Sequence, residues 1–170
     1  MSRRFRLGLL LAAASVLVTA DQLVKLWAYS ALAPGASLAL RGPVDLTLLL
    51  NRSNAFGTAP DFGEATRWML VAFNLAVASA LAYLVWSRQQ RWPAFLGCAF
   101  IVAGGIGNAV DRVWLGAVID MFDASEVGFQ WVFNLADVFV DIGIGLWLVD
   151  SFRPGPGPAQ ADASSHGPSR

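Results

Sequence analysis

The chain has 170 residues, of which 56% are hydrophobic and 14% charged, and its formal net charge is zero. Soluble domains carry about 25% charged residues, so this depletion, together with seven Trp and eleven Phe, predicts an integral membrane protein and no nucleic-acid partner. The single cysteine, Cys98, excludes an internal disulfide and a cysteine-based metal cluster.

Residues 2–6 are basic (Ser2-Arg3-Arg4-Phe5-Arg6) and precede a long apolar run over 7–29, interrupted by Asp21 and Lys25. The charged start, the apolar centre and Val18-Thr19-Ala20 also fit a cleavable signal peptide. The run continues through Leu23-Val24-Lys25-Leu26-Trp27, however, and is long enough for ~30 Å of hydrocarbon at ~1.5 Å per residue. We read it as a retained first transmembrane helix. Residues 30–67 change character: Pro34-Gly35, Gly42-Pro43 and Ala59-Pro60 mark turns, and 44–50 (Val-Asp-Leu-Thr-Leu-Leu-Leu) reads as a short strand. This outer loop, ending in Asn51-Arg52-Ser53-Asn54-Ala55-Phe56-Gly57, is too apolar to be merely solvated. Part of it is expected to rest on the bilayer or over a site.

A second span covers 68–86, with Trp at both ends as interfacial anchors, and Asn74 within it is expected to hydrogen-bond another helix. After a short basic turn at 87–91, a third span covers 93–114, where Gly104, Gly105 and Gly107 admit close approach of another backbone. Phe95-Leu96-Gly97-Cys98 faintly resembles a lipidation box, but mid-span it reads as a plain buried thiol. Residues 115–128 form a second outer loop with Asp120, Asp123 and Glu126. The fourth span, 129–149, carries Asn134, Asp137 and Asp141. From 154 to 170 Pro, Gly, Ala and Ser predict a disordered tail, which makes its His166, the only histidine, a poor catalytic candidate. The predicted architecture is an all-α membrane protein over 1–153, with four transmembrane helices and a small β-rich extracytoplasmic loop domain. Arg3, Arg4, Arg6, Arg88, Arg91 and Arg153 then share one side, which the positive-inside rule makes cytoplasmic. Arg41, Arg52 and Arg67 in the first outer loop weaken that asymmetry without reversing it.

The polar residues gather toward the outer face. Asn108, Asp111 and Arg112 share a helical stripe, and Asn134 and Asp137 lie three apart, about two turns into the fourth span. Asp120, on the connecting loop, is positioned to fold back opposite Asp137. Two carboxylates in a low-dielectric site share one proton, so one acts as base on water while the other polarises a carbonyl. Asp21 with Lys25, and Asp111 with Arg112, also fit structural ion pairs. Asp141, one turn beyond Asp137, either competes for its role or sits protonated against the bundle. A proton-coupled carrier using Asp21, Lys25, Asp137 and Asp141, and a metal-dependent phosphoesterase, are the rival readings.

In order along 15–145, Asp21-Gln22-Leu23-Val24-Lys25, Asn51 with Ala55-Phe56-Gly57, Gly105-Ile106-Gly107-Asn108-Ala109-Val110-Asp111-Arg112, Val118-Ile119-Asp120-Met121-Phe122 and Phe133-Asn134-Leu135-Ala136-Asp137 together resemble the type II (lipoprotein) signal peptidases, which are membrane aspartyl peptidases. The resemblance implies Asp120 and Asp137 as the catalytic pair, with Asp21, Lys25, Asn51, Asn108, Asp111, Arg112 and Asn134 in supporting or substrate-contacting positions. It implies no metal or cofactor. It also implies a small sheet in the first outer loop that cradles substrate at the membrane surface. Prolipoproteins already carrying diacylglyceryl on a cysteine, cut just before that cysteine, are the implied substrates in a bacterial cytoplasmic membrane. Membrane lipid and globomycin-type peptide inhibitors are the other implied partners. The chain departs from the family pattern at Ser53 and Asn54, where Gly and Ala are usual, at Met121, where an aromatic is common, and at Asp141, where an apolar residue is expected.

Overall fold

The computed structural model of the chain describes residues 1–40, 42–52 and 63–153. Arg41, the segment 53–62 with its Ser53-Asn54-Ala55-Phe56-Gly57 motif, and the tail with His166 lie outside the described residues. Three helices are long and apolar enough to cross a membrane: α1 (Arg3–Ala31), α2 (Glu64–Ser87) and α3 (Trp92–Leu115). A fourth helix, α4 (Leu135–Ser151), has 17 residues, or ~26 Å at ~1.5 Å per residue. It therefore starts later than the expected span over 129–149. Large apolar side chains such as Leu23, Phe73, Tyr83, Ile144 and Leu148 point outward from all sides of the bundle. That coat is the pattern of a membrane protein, because a contiguous apolar surface of this extent is rare on soluble monomers.

Helix α3 is the centre of the bundle, and α1, α2 and α4 each pack on it. The α3–α4 contact is the closest, and glycines make it possible. A Cβ on Gly104 would stand 2.7 Å from Val140 Cγ2 and would also strike the Ala136 carbonyl, while one on Gly143 would meet Gly97 O at 2.8 Å. Leu10, Val85, Phe95, Val102 and Phe139 are buried around this contact, with Cys98 a buried free thiol among them. Two arginines tie α2 at its ends. Arg6 donates to the carbonyls of Val85 (3.2 Å) and Trp86 (3.3 Å), and Arg67 donates to those of Arg112 (2.7 Å) and Val113 (2.9 Å) at the end of α3.

Above the bundle lies an antiparallel four-stranded sheet in chain order: β1 (Ser37–Leu38), β2 (Asp45–Asn51), β3 (Val118–Asp123) and β4 (Val132–Phe133). The expected strand at 44–50 is β2, but the expected loop at 115–128 holds a second strand. Helix α3 stops at Gly116, whose φ of 73° suits glycine, and the chain enters β3 within two residues. Pairing of Leu49 with Asp120 and Asn51 with Val118 makes a strand of it, with a register shift between Leu46 and Leu49. Leu46, Leu48, Ile119 and Met121 pack this sheet onto Ala28 of α1. Met121, fully buried there, fills the space with a flexible thioether, which suits an irregular junction between sheet and helix.

The glycine contact yields a discriminating prediction. Gly104→Ala should destabilise the protein by about 1–3 kcal/mol through overpacking. Gly145→Ala, where a Cβ meets nothing within 4 Å, should be neutral or stabilising by up to about 1 kcal/mol. Thermal unfolding in detergent separates the two, and equal effects would overturn this account of the helix contact.

Candidate active site

The site is assembled around the first turn of α4. Asn134 is its N-cap: its side-chain oxygen accepts from the Asp137 N–H at 3.1 Å, and its own N–H donates to Asp137 Oδ2 at 3.2 Å. This reciprocal capping box places Asp137 at the third helical position, where the helix dipole favours negative charge. Asn134 and Asp137 thus lie at the head of the helix, not two turns inside it as the expected span implied. The remaining donor of the cap, Asn134 Nδ2, reaches Asp120 Oδ1 at 2.6 Å. One asparagine therefore binds both aspartates, and Asp120 does stand on the same side of the molecule as Asp137, delivered by strand β3 instead of a free loop.

Each carboxylate has a second amide partner. Asn51 of β2 donates to Asp120 Oδ2 at 2.9 Å, and Asn108 of α3 donates to Asp137 Oδ1 at 2.8 Å. Asp120 is 2% exposed. Burial pushes its carboxyl up to about 6, against the pull of the Asn134 and Asn51 hydrogen bonds and with a smaller upward push from the Asp137 charge. Arg112 of α3, buried beside them, lies within electrostatic reach of Asp120, Asp137 and Asp111.

Behind this pair lies a buried ionic cluster. Lys25 Nζ, 1% exposed, contacts Asp21 Oδ2 at 2.9 Å, Asp111 Oδ2 at 2.8 Å and Asn108 Oδ1 at 2.9 Å. With its oxygen taken by the ammonium, the Asn108 amide must turn its NH₂ to Asp137. Asp21 also accepts from the Ala136 N–H of α4 at 2.9 Å, and Asp111 accepts from the Ile119 N–H of β3 at 3.2 Å. Gly107 leaves the room for this: a Cβ there would stand 2.5 Å from Asp21 Oδ2. The Asp21–Lys25 pair expected within α1 exists, but Asp111 pairs across to Lys25. Gln22 is a member that the sequence reading passed over. Its Nε2 bridges Asp21 Oδ2 (3.2 Å), Gly107 O (3.2 Å) and Asp111 Oδ1 (2.9 Å), and its place between Asp21 and Leu23 was the one clue.

Asn108, Arg112 and Asp137 open onto a groove of ≈ 600 Å³ walled mainly by apolar side chains, among them Leu70, Phe73, Phe129 and Phe133. Asn74 and Asp141 also line it. The expected interhelical hydrogen bond of Asn74 is not formed among the described residues: its backbone carbonyl and Cβ lie against Gly105, which offers no side-chain partner, and the residue lines this opening. A buried carboxyl and a half-buried one, both held by amides at the head of an apolar groove, suit acid–base activation of water on an extended apolar chain.

The family described as Signal peptidase (SPase) II matches residues 13–153. The chain is 42% identical to the lipoprotein signal peptidase of Caulobacter vibrioides over 145 residues, covering 83% of this chain and 84% of that one. It is 34% identical to that of Methylorubrum extorquens over 172 residues, covering 96% and 95%. A solved bacterial membrane enzyme, determined by the in meso method at 1.9 Å, superposes with TM-score 0.75 at 24% identity over 87% of this chain and 95% of that one. At that identity it speaks for the fold alone.

Removing the ammonium tests the cluster. Lys25→Met leaves two buried carboxylates without their cation and should cost about 3–5 kcal/mol of stability. Thermal unfolding in detergent checks this, and a loss below about 1 kcal/mol would show the cluster to be dispensable to the fold.

Proposed function

The chain belongs to the signal peptidase II family of aspartic endopeptidases, which remove signal peptides from prolipoproteins, and from that premise we propose that Asp120 and Asp137 are its catalytic pair. The observation that carries this is the double hold of Asn134 on both carboxyls at the head of the groove. Asp137, hydrogen-bonded at both oxygens at a helix N-terminus, is the general base. It takes a proton from a water whose oxygen attacks the scissile carbonyl carbon. Asp120, whose carboxyl burial favours in the neutral form, donates a hydrogen bond to the carbonyl oxygen as negative charge develops there. Collapse of the tetrahedral intermediate breaks the C–N bond, and Asp137 passes its proton to the leaving nitrogen. Arg112 offsets part of the negative charge that two carboxyls and an oxyanion bring together. Asn51, Asn108 and Asn134 orient the pair, and Asp21, Lys25 and Asp111 hold those residues in register.

Helix α4 acts as a fourth membrane span in this reading. The ends of α1 and α2 tied by Arg6, with Arg88, Arg91 and Arg153, face the cytoplasm, and the sheet faces outward. The substrate is a precursor bearing diacylglyceryl on the cysteine that follows the cut. Its acyl chains and signal peptide reach the groove from the lipid of the cytoplasmic membrane. Globomycin-type peptides compete for the same groove. The carrier reading gains no support from the relatives.

Asp120→Asn and Asp137→Asn should each lower turnover of a diacylglyceryl-modified precursor by on the order of 10³-fold or more while the protein stays folded. Cleavage is read on gels beside an unmodified precursor, and near-normal turnover in either folded variant sinks the assignment. The pH profile tests the roles. Asp120 is neutral below about 6 and ionised above it. If the neutral acid is the working form, kcat/KM falls as pH rises through that value, and a flat profile between about pH 5 and 8 would overturn its role as acid.

A further inference from the structure

Two polar side chains in the groove are used by nothing described so far. Asn74 on α2 and Asp141 on α4 both line it, and among the described residues neither side chain makes a hydrogen bond or ion pair. They stand at one level of the bundle. Asn74 lies against Gly105, with its Cβ 3.9 Å from where a Cβ on that glycine would stand, and the neighbouring Gly104 meets Val140, the residue before Asp141. Asp141 follows Asp137 by one turn, so this level is ~6 Å farther along α4 than its head, with Asp141 exposed and Asn74 half-buried along the groove wall. Polar groups at such depth, against walls such as Phe73, Val140 and Ile144, are costly unless they meet a partner.

The partner follows from what the groove must hold. A peptide bond inside a helix has its carbonyl hydrogen-bonded and shielded, so the chain must be unwound where it is cut. In an apolar surrounding each freed N–H and C=O is unfavourable unless it is re-paired. An extended chain running from Asp137 down the groove advances ~3.3 Å per residue, so ~6 Å is about two residues. We propose that Asp141 and Asn74 form a subsite for peptide backbone, about two residues to the N-terminal side of the cut. Asp141 accepts from a backbone N–H, and Asn74, as donor and acceptor, serves the adjoining amide. The subsite rests on the proposed function, and it takes the signal segment, N-terminal to the cut, to lie deeper along the groove than the cut itself.

The test uses the full chain in detergent with a lipidated precursor and a second precursor whose amide nitrogen two residues before the cut is methylated. The methyl group should raise KM about tenfold for the parent chain. Asp141→Leu should raise KM by a similar factor with kcat changed less than twofold, and should then respond to the methyl group by less than twofold. Asp141→Asn, which keeps an acceptor, should stay within about threefold of the parent. Thermal unfolding of each variant guards against misfolding, and Asp141→Ala, which also removes the acceptor, takes the place of the Leu variant if that one does not fold. An Asp141→Leu protein with parental KM, an Asp141→Asn protein with a tenfold loss, or equal methyl penalties in parent and Leu variant would each overturn the subsite. No cleavage by the parent chain would overturn the peptidase reading with it, whereas cleavage without these differences overturns the subsite alone.

Discussion

Everything in the site is referred to one buried ammonium. Lys25 lies in the interior with Asp21, Asp111 and Asn108 in contact with its Nζ, and each of those three holds something else. Asp21 takes the Ala136 N–H and so fixes the start of α4, Asp111 takes the Ile119 N–H and so fixes β3, and Asn108 turns its amide to Asp137. The two strongest candidate residues arrive on different elements, one on a strand and one on a helix. Their mutual position is therefore only as firm as the group that both elements share. A desolvated ion cluster is a poor source of net stability but a demanding geometric constraint, since any displacement leaves a charge unpaired in low dielectric.

The helices were legible because a bilayer requires long apolar segments, and the runs at 7–29, 68–86 and 93–114 are recovered, extended at their ends, as α1, α2 and α3. The start of α4 was not, because Phe129, Trp131 and Phe133 continue the hydropathy of the following helix without a break. The boundary was nevertheless written in the chain, as Asn134 followed three residues later by Asp137, a capping-box spacing that hydropathy does not register. Strand β3 was illegible for another reason. Val118-Ile119-Asp120-Met121-Phe122 is a strand because Asp45 to Asn51, some seventy residues earlier, lies beside it, and no local pattern carries that pairing.

The motif residues were legible as a group, but their partners were not. Adjacent Asp111 and Arg112 read as a pair in sequence, whereas their positions on α3 send Asp111 to Lys25 of α1. Asn74 read as glue between helices because helical periodicity cannot tell which two helices of a bundle stay apart. Here α2 and α4 both pack on α3 without a substantial contact between them, and the polar residue of α2 is left facing the opening.

That gap gives the two walls of the groove different supports. On one side α1, α3 and α4 are joined by glycine contacts and the ionic cluster, which also reaches β3 through Asp111, so both aspartates are tied to it. On the other side α2 is tied at its ends by Arg6 and Arg67 and packed through Ala78, Leu81 and Val85 into the apolar core, while Leu70, Phe73 and Asn74 line the groove. Wall and site are thus held independently: among the described residues α2 makes no hydrogen bond to either carboxyl, and the groove runs between its apolar side chains and the amides that hold Asp120 and Asp137.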